Sequence, residues 1–426
     1  MKESKGFKET EIGLIPEDWE VVKLGEVGNY INGYAFKPSD WSNTGKPIIR
    51  IQNLNNPSAS FNYFNGELDY KYLVKKGDIL ISWSASLGAY LWNGEDAWLN
   101  QHIFKVELTN QNVAKDFLYF ALLYYFVGQA LANLHGSTMK HIVKSKFLNI
   151  LIPLPPLEEQ KAIADILSTV QNAIEKTEKV INATKQLKKS MMKHLFTYGA
   201  VAVDKIDKVK LKESEIGLIP EHWEVVRLGE VVDLDRGISW RKFEEGNKDN
   251  GHLIISIPNI KDGYIDFNSK YNHYLIKHIP KNKQIQLNDI LFVGSSGSIE
   301  NVGRNVFIEN LPFEGIGFAS FVFRARVKVD TIIPKFLYFM ANSHWFNYKD
   351  YVRRSSDGKY NFQLTEFKPI KIPLPPLDEQ QKIANILTTI DQKIQAEENK
   401  KEALQNLFKI LLHQLMTGKI RVRHPS

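Results

Sequence analysis

The 426-residue chain has no cysteine, which excludes a disulfide framework and a thiolate metal site. No long uninterrupted apolar run occurs, so no membrane-spanning helix is expected. The opening residues MKESKGFKETE lack the apolar stretch of a secretory leader, and cytoplasmic residence is the expectation. A Gly-x-x-x-x-Gly-Lys-Ser/Thr loop is also missing, which argues against nucleotide hydrolysis. His102, His141, His194 and His413 are scattered without a short metal spacing, so surface or packing roles are expected for them. No compact carboxylate cluster stands out. The sequence predicts no catalytic site and no metal in this chain alone.

What is present suits two globular domains. Hydrophobic residues make up 43%, with 24 Phe, 17 Tyr and 8 Trp to fill cores and contact surfaces. The formal charge is +7 and the pI is about 9.0. A basic surface suits phosphate, but charge alone does not specify it.

The chain repeats itself. Glu11–Val27 reads EIGLIPEDWEVVKLGEV, and Glu215–Val231 reads EIGLIPEHWEVVRLGEV, an offset of 204 residues. Pro153–Gln160 reads PLPPLEEQ, and Pro373–Gln380 reads PLPPLDEQ, an offset of 220. Only these borders match closely, which predicts two similar frames with divergent interiors. After each opening proline turn, Trp19, Val21, Val22 and Leu24, and likewise Trp223, Val225, Val226 and Leu228, suit a short strand of the framework. Pro47–Ile51, Leu253–Ile257, Gly77–Ser82 and Asn288–Val293 read as strands or turn-plus-strand segments. Phe117–Phe126 and Pro334–Trp345 read as aromatic-rich helices.

Each unit closes on a long helix that starts after Pro155-Pro156 or Pro375-Pro376. Glu158, Glu159, Asp378 and Glu379 place negative charge in the first turns, where the helix dipole favours it. In the first helix Ile163, Leu167, Val170, Ile174, Ile181, Met191 and Leu195 keep a seven-residue pattern. In the second, Ile383, Leu387, Ile390, Ile394, Leu404, Phe408, Leu411 and Leu415 do the same. This is the pattern of helices that pair lengthwise. Thr177, Thr184, Lys188, Glu397 and Lys401 interrupt the seams, and a seam lysine facing Glu397 would fix register. About 40 residues span roughly 60 Å, enough to hold two heads one to two duplex turns apart.

The doubled PLPP-L-(E/D)EQ motif with its doubled opening segment resembles the specificity (S) subunit of type I restriction–modification systems. Gly33–Lys37, Asn100–Phe104 and Gly136–Met139 add to the resemblance, which covers almost the whole chain. It implies two mixed α/β (α+β) target recognition domains separated by two long antiparallel coiled-coil helices, an internal pseudo-twofold repeat. The expected division is residues 1–155 and 200–375 as recognition domains, 156–199 and 376–420 as spacer helices, and 421–426 as a tail. The resemblance further implies a non-catalytic subunit that reads bipartite duplex DNA and binds two methyltransferase (M) subunits, with restriction (R) subunits added. S-adenosylmethionine would then belong to the M subunits, ATP and Mg to the R subunits, and no cofactor to this chain. An adenine-methyltransferase motif needs Asn or Asp before Pro-Pro and an aromatic residue. Leu154-Pro155-Pro156-Leu157 lacks both partners. The competing reading is a two-headed scaffold for paired protein partners without DNA recognition.

DNA binding needs cations for phosphate and Arg, Asn or Gln for base edges. In the first domain Lys37 in the loop Gly33–Ser39, Ser84 and Ser86 after a strand, and Ser137, Thr138 and Lys140 in a glycine-led turn are the candidates. Asn100 and Gln101 rank below them because their neighbours look buried. In the second domain Arg236, Ser239, Trp240, Arg241 and Lys242 form a basic run. Ser296 and Arg304 follow the matching strand, and Arg353, Arg354 and Lys359 suit a second clamp. The glycine of each loop is read as room for the backbone to approach the duplex.

Overall fold

The computed structural model describes residues 6–56, 58–128, 142–356 and 358–422. Ser137, Thr138, Lys140 and His141 lie outside them. The chain divides into two compact units, Met1–Lys179 with Glu398–Ser426, and Val180–Glu397. Each unit holds one sheet-rich region and adjoining halves of two long helices, Leu157–Tyr198 and Leu377–Met416.

In the first unit, the hairpin Phe7–Thr10/Gly13–Pro16 leads to the strand Glu20–Lys23, which pairs antiparallel with Leu151–Leu154. The opening segment is therefore sewn to the strand just ahead of the long helix. Between them lies an antiparallel four-stranded sheet in the order Gly28–Asn32, Ile103–Leu108, Ile79–Ser82, Gly88–Leu91. A second sheet orders Asn62–Phe64, Lys46–Ile49, Ala97–Leu99, Leu73–Val74, with one parallel pair.

The second unit follows the same plan. Leu211–Ser214 pairs with Gly217–Pro220, and Glu224–Arg227 with Lys371–Leu374. The four-stranded sheet runs Val232–Arg236, Val322–Val327, Ile290–Val293, Asn305–Phe307. A three-stranded sheet runs His273–Leu275, His252–Ile255, Gly317–Phe318. A further one runs Ser295–Ser296, Tyr360–Phe362, Val352–Arg354.

Of the two expected interior helices, the first is helical over the whole of Phe117–Phe126 and the second is shorter than expected. Lys115–Ala121 is α-helical and widens into a π-helical turn at Leu122–Val127, whereas Pro334–Ala341 stops short of Trp345. Pro47–Ile51 and Leu253–Ile257 are strands only as far as Ile49 and Ile255, because short helical turns start at Ile51 and Ile257.

Both long helices end at glycine in the left-handed region, Gly199 at φ 85° and Gly418 at φ 65°, where a Cβ would be strained. Their seams follow the seven-residue spacing. Ile163, Leu167, Ile181, Leu195, Ile383, Leu387, Ile394 and Leu415 are buried, and Val170, Ile174, Ile390, Leu404, Phe408 and Leu411 are half-buried. Thr177 lies in the same seam, buried, with its hydroxyl donated to the Ala173 carbonyl. In the first unit Ile163 and Leu167 share a core with Leu415 and Met416. In the second unit Leu195 and Phe196 share one with Ile383 and Leu387. The two helices run antiparallel in each.

The seam lysines pair across the helices with carboxylates other than Glu397. Lys188 meets Asp391 at 2.6 Å and Lys401 meets Glu178 at 3.0 Å, while Glu397 receives Lys393 from its own helix at 2.7 Å.

The glutamine of the doubled motif anchors each long helix. Gln160 accepts from the Ala114 amide and donates to the Asn112 and Pro155 carbonyls, each at 2.8 Å. Gln380 accepts from the Ile333 amide at 2.8 Å and donates to the Thr331 and Pro375 carbonyls at 2.9 and 2.8 Å. Both side chains are fully buried, and each uses both amide donors and its oxygen on backbone groups, as a buried amide requires.

Candidate nucleic-acid interface

In each unit the antiparallel register gathers several loops at one edge of the four-stranded sheet. Asn32 pairs with Phe104, and Ile103 with Ser82. The loops after Asn32 and Ser82, and the turn before Ile103, therefore leave from the same edge. In the second unit Arg236 pairs with Phe323, and Val293 with Val322, so the segments after Arg236 and Val293 do likewise. The sequence candidates Lys37, Ser84 and Ser86 in the first unit, and Arg236, Ser239–Lys242 and Ser296 in the second, follow those strand ends.

Lys37 is exposed, its amide tied to Asp40 Oδ2 at 2.7 Å. Ser84 and Ser86 flank Ala85, whose φ of 59° makes the tight turn. Ser82 donates to the Ser86 carbonyl and fixes that turn. The glycine that opens the preceding loop serves the chain itself rather than a ligand. A Cβ on Gly33 would sit 2.0 Å from the Asn100 carbonyl oxygen, and one on Gly237 2.1 Å from that of Phe318. Asn100 is half-buried, with its backbone pressed against this turn.

Arg236 is exposed and lies over the Phe323 ring at 4.9 Å, with Nη2 donating to the Phe362 carbonyl at 3.5 Å. Strand pairing brings Ser296 and Arg354 opposite Tyr360 from its two sides. Arg236, Ser296, Arg353, Arg354 and Lys359 are thus grouped around the short sheet Val352–Arg354/Tyr360–Phe362. Arg354 is exposed over Tyr360 at 5.7 Å, and Lys359 lies over Phe321 at 6.0 Å. Arg353 is partly engaged by Glu366 at 3.3 Å and the Asp350 carbonyl at 3.0 Å.

Ser239, Trp240, Arg241 and Lys242 belong to a neighbouring cluster. Lys277 donates to the Ser239 carbonyl at 3.2 Å and to Glu244 at 2.8 Å, and that bond holds the Glu244 carboxyl below its ordinary range. Trp240 Nε1 donates to Glu245 at 2.7 Å and its ring leans on His273, leaving Arg241 and Lys242 exposed. Arg304 does not join either group. It is half-buried, with Nη1 on Asn301 and Nη2 on the Ile257 carbonyl, both at 3.4 Å.

Two cations in the second unit are structural. Arg324 is buried and bonds Asp235 at 2.8 Å, and Arg326 forks onto buried Asp289 at 2.6 and 2.7 Å. Their alternation in Val322–Val327 is a strand signal, and only the Asp partners distinguish them from phosphate ligands. In the first unit, Lys144 is a cation the sequence reading passed over. It donates to the Tyr30 carbonyl at 2.8 Å beside Phe104.

Among the described residues no group of three His, Cys, Asp or Glu could hold a metal ion, and no helix is long and apolar enough to cross a membrane. His194 is buried on the Val201 carbonyl, His413 contacts Tyr124, and His102 packs beside Trp83.

A duplicated sheet frame with unlike polar and basic side chains at its loop edge, each ahead of a long pairing helix, defines an internally repeated protein of two like units. The chain belongs to the family described as type I restriction modification DNA specificity domain, which it matches twice, over residues 16–186 and 220–406. It is 32% identical over 435 residues to the MjaVIII specificity subunit of a type I restriction enzyme of Methanocaldococcus jannaschii, covering 99% of this chain and 97% of that protein. It is 28% identical to the EcoBI specificity subunit of Escherichia coli, covering 87% and 78%. The crystal structure of the type I S subunit from M. genitalium has the same fold, with a TM-score of 0.60 at 16% identity, covering 93% of this chain and 96% of that one.

Proposed function

We propose that this chain is the non-catalytic sequence-specificity subunit of a cytoplasmic type I restriction–modification complex. Residues 1–155 and 200–375 each read one half of a split duplex target through major-groove and phosphate contacts. The helices at 156–199 and 376–420, followed by a tail at 421–426, set the gap between half-sites and dock two adenine-methyltransferase subunits. Restriction subunits complete the assembly. S-adenosylmethionine belongs to the methyltransferase subunits, and ATP with Mg to the restriction subunits.

The observation that carries this reading is one frame used twice with different chemistry at the same edge. Asn32 and Trp83 in the first unit are replaced by Arg236 and Gly294 in the second, while Ser84 and Ser295 keep the same hydroxyl. Shared framework with unlike edge residues fits two half-sites of different sequence. Lys37, Arg236, Arg241, Lys242 and Arg354 supply exposed cations for phosphate or purine edges. Ser86, Ser239, Trp240, Ser296, Arg353 and Lys359 lie beside them, and Ser137, Thr138 and Lys140 remain candidates from sequence. The test is selection from random duplexes by the purified complex. Recovery of two fixed half-sites with salt-sensitive affinity supports the reading, and recovery of no common sequence overturns it.

A further inference from the structure

Asn32 and Arg236 occupy one structural position. Each ends the first strand of its four-stranded sheet, and the two strands share one burial pattern, with the last residue exposed. Each faces a phenylalanine across the register, Phe104 or Phe323. Each precedes a glycine pressed against a neighbouring carbonyl. The segment ahead of the long helix crosses beside both. The Ile142 amide donates to the Trp83 carbonyl at 3.0 Å, and the Phe362 amide to the Gly294 carbonyl at 2.8 Å.

The two side chains are held differently. In the first unit Trp83 stacks on Phe104, at 5.6 Å and 22°, and its Nε1 donates to Asn32 Oδ1 at 3.2 Å. Indole nitrogen only donates, so the Asn32 oxygen must face it. That leaves the Asn32 amide nitrogen and a second oxygen lone pair presented in one orientation. In the second unit Gly294 stands where Trp83 does, and a Cβ there would lie 2.7 Å from the Phe323 ring. The space that an indole would need is thereby kept for Arg236, which lies on that ring with one nitrogen on the Phe362 carbonyl. Both are polar side chains oriented by a rigid support, as base readout requires.

We propose that this position is a specificity determinant in each domain, with Asn32 reading adenine and Arg236 reading guanine in the major groove. An amide offers adenine one donor and one acceptor, and a guanidinium offers guanine two parallel donors. The inference rests on the function proposed above.

The experiment maps methylated sites made by the whole chain co-expressed with its methyltransferase subunits. In N32D the new carboxylate would still accept from Trp83, but it has no donor for adenine and accepts instead from cytosine. N32D should move one position of the first half-site from adenine toward cytosine and leave the second half-site alone. R236Q turns two parallel donors into one donor and one acceptor, so guanine preference at one position of the second half-site should fall by roughly 5- to 150-fold. Should N32D fail to assemble, N32S also offers Trp83 an oxygen and should lose the adenine preference. Unchanged motifs, or equal weakening on all sequences, would overturn the proposal. If the unaltered complex marks no split motif, the function itself is wrong, whereas a split motif indifferent to both positions removes only this inference.

Discussion

Trp223 Nε1 donates to Glu379 Oε2 at 2.9 Å, and Trp19 Nε1 donates to Glu159 Oε2 at the same 2.9 Å. The tryptophan of each opening segment is therefore clasped by the glutamate of the following PLPP-L-(E/D)EQ motif. Both indoles are fully buried, and a buried N–H without an acceptor is costly. The pairing explains why the two widely separated borders of the repeat match while the interiors diverge. The surroundings of the clasp differ. Glu159 also receives Arg421 at 2.8 Å, and Arg421 forks onto Asp18 at 2.9 and 2.7 Å. Glu379 receives His222 at 2.8 Å and the Ala200 amide at 3.0 Å.

Breaking either clasp should destabilise its own unit. E159A and E379A each strand a buried indole N–H, at a cost of about 1–3 kcal/mol. Urea unfolding monitored by tryptophan fluorescence should show a lower midpoint with unchanged slope. A midpoint equal to that of the unaltered chain would contradict the role.

Arg421 gives the first clasp an acid limb. Its hydrogen bond to Asp18 holds the Asp18 carboxyl below the ordinary range. The stabilisation is thus fully present above the unfolded value, about 3.9, and is lost as pH falls through the lower folded one. Asp18 is about half exposed, so the contribution should stay below about 1 kcal/mol. The stability difference between the unaltered chain and D18N should be constant from about pH 7 to 5 and vanish in stronger acid. A difference that grows on acidification would refute the pairing.

The helix seam should behave as a packed core. L167A and L387A remove fully buried side chains and should each cost about 2–5 kcal/mol. The Lys188–Asp391 pair is partly exposed, so a double-mutant cycle should give a coupling of only about 0.2–1 kcal/mol. Unfolding curves of the single and double variants measure both.

The basic residues should separate by role. R354A should weaken binding to all duplexes and lower the salt slope by about one. R241A should lose discrimination at one base pair, by about 1–3 kcal/mol. R353A should do less than R354A, because Arg353 is already shared with Glu366. Binding titrations at several salt concentrations on matched and mismatched duplexes distinguish these outcomes.

The long helices are legible in the sequence because seven-residue spacing translates directly into a buried seam, even through Thr177 and Lys188. The β runs at Ile79–Ser82 and Ile290–Val293 are legible as short apolar stretches behind turns. Strand order is not, because Glu20–Lys23 finds its partner in Leu151–Leu154, more than a hundred residues on. Glu159 and Glu379 look from sequence like first-turn dipole partners, and only the fold reveals the indoles beneath them. Asn32 is one exposed asparagine among many until register sets it opposite Phe104 and beside Trp83. Arg304 looks like a DNA ligand for the converse reason, since the Ile257 carbonyl that occupies it comes from a segment far off in the chain.

The most direct test is the methylation pattern of the unaltered complex beside one lacking a single heptad from both long helices. The unaltered complex should mark adenines in a motif of two unlike halves at a fixed gap. Removing about 10 Å of helix should shorten that gap by roughly three base pairs and leave both halves intact. A continuous motif, or a gap indifferent to helix length, would contradict the proposed role of the long helices in setting the gap.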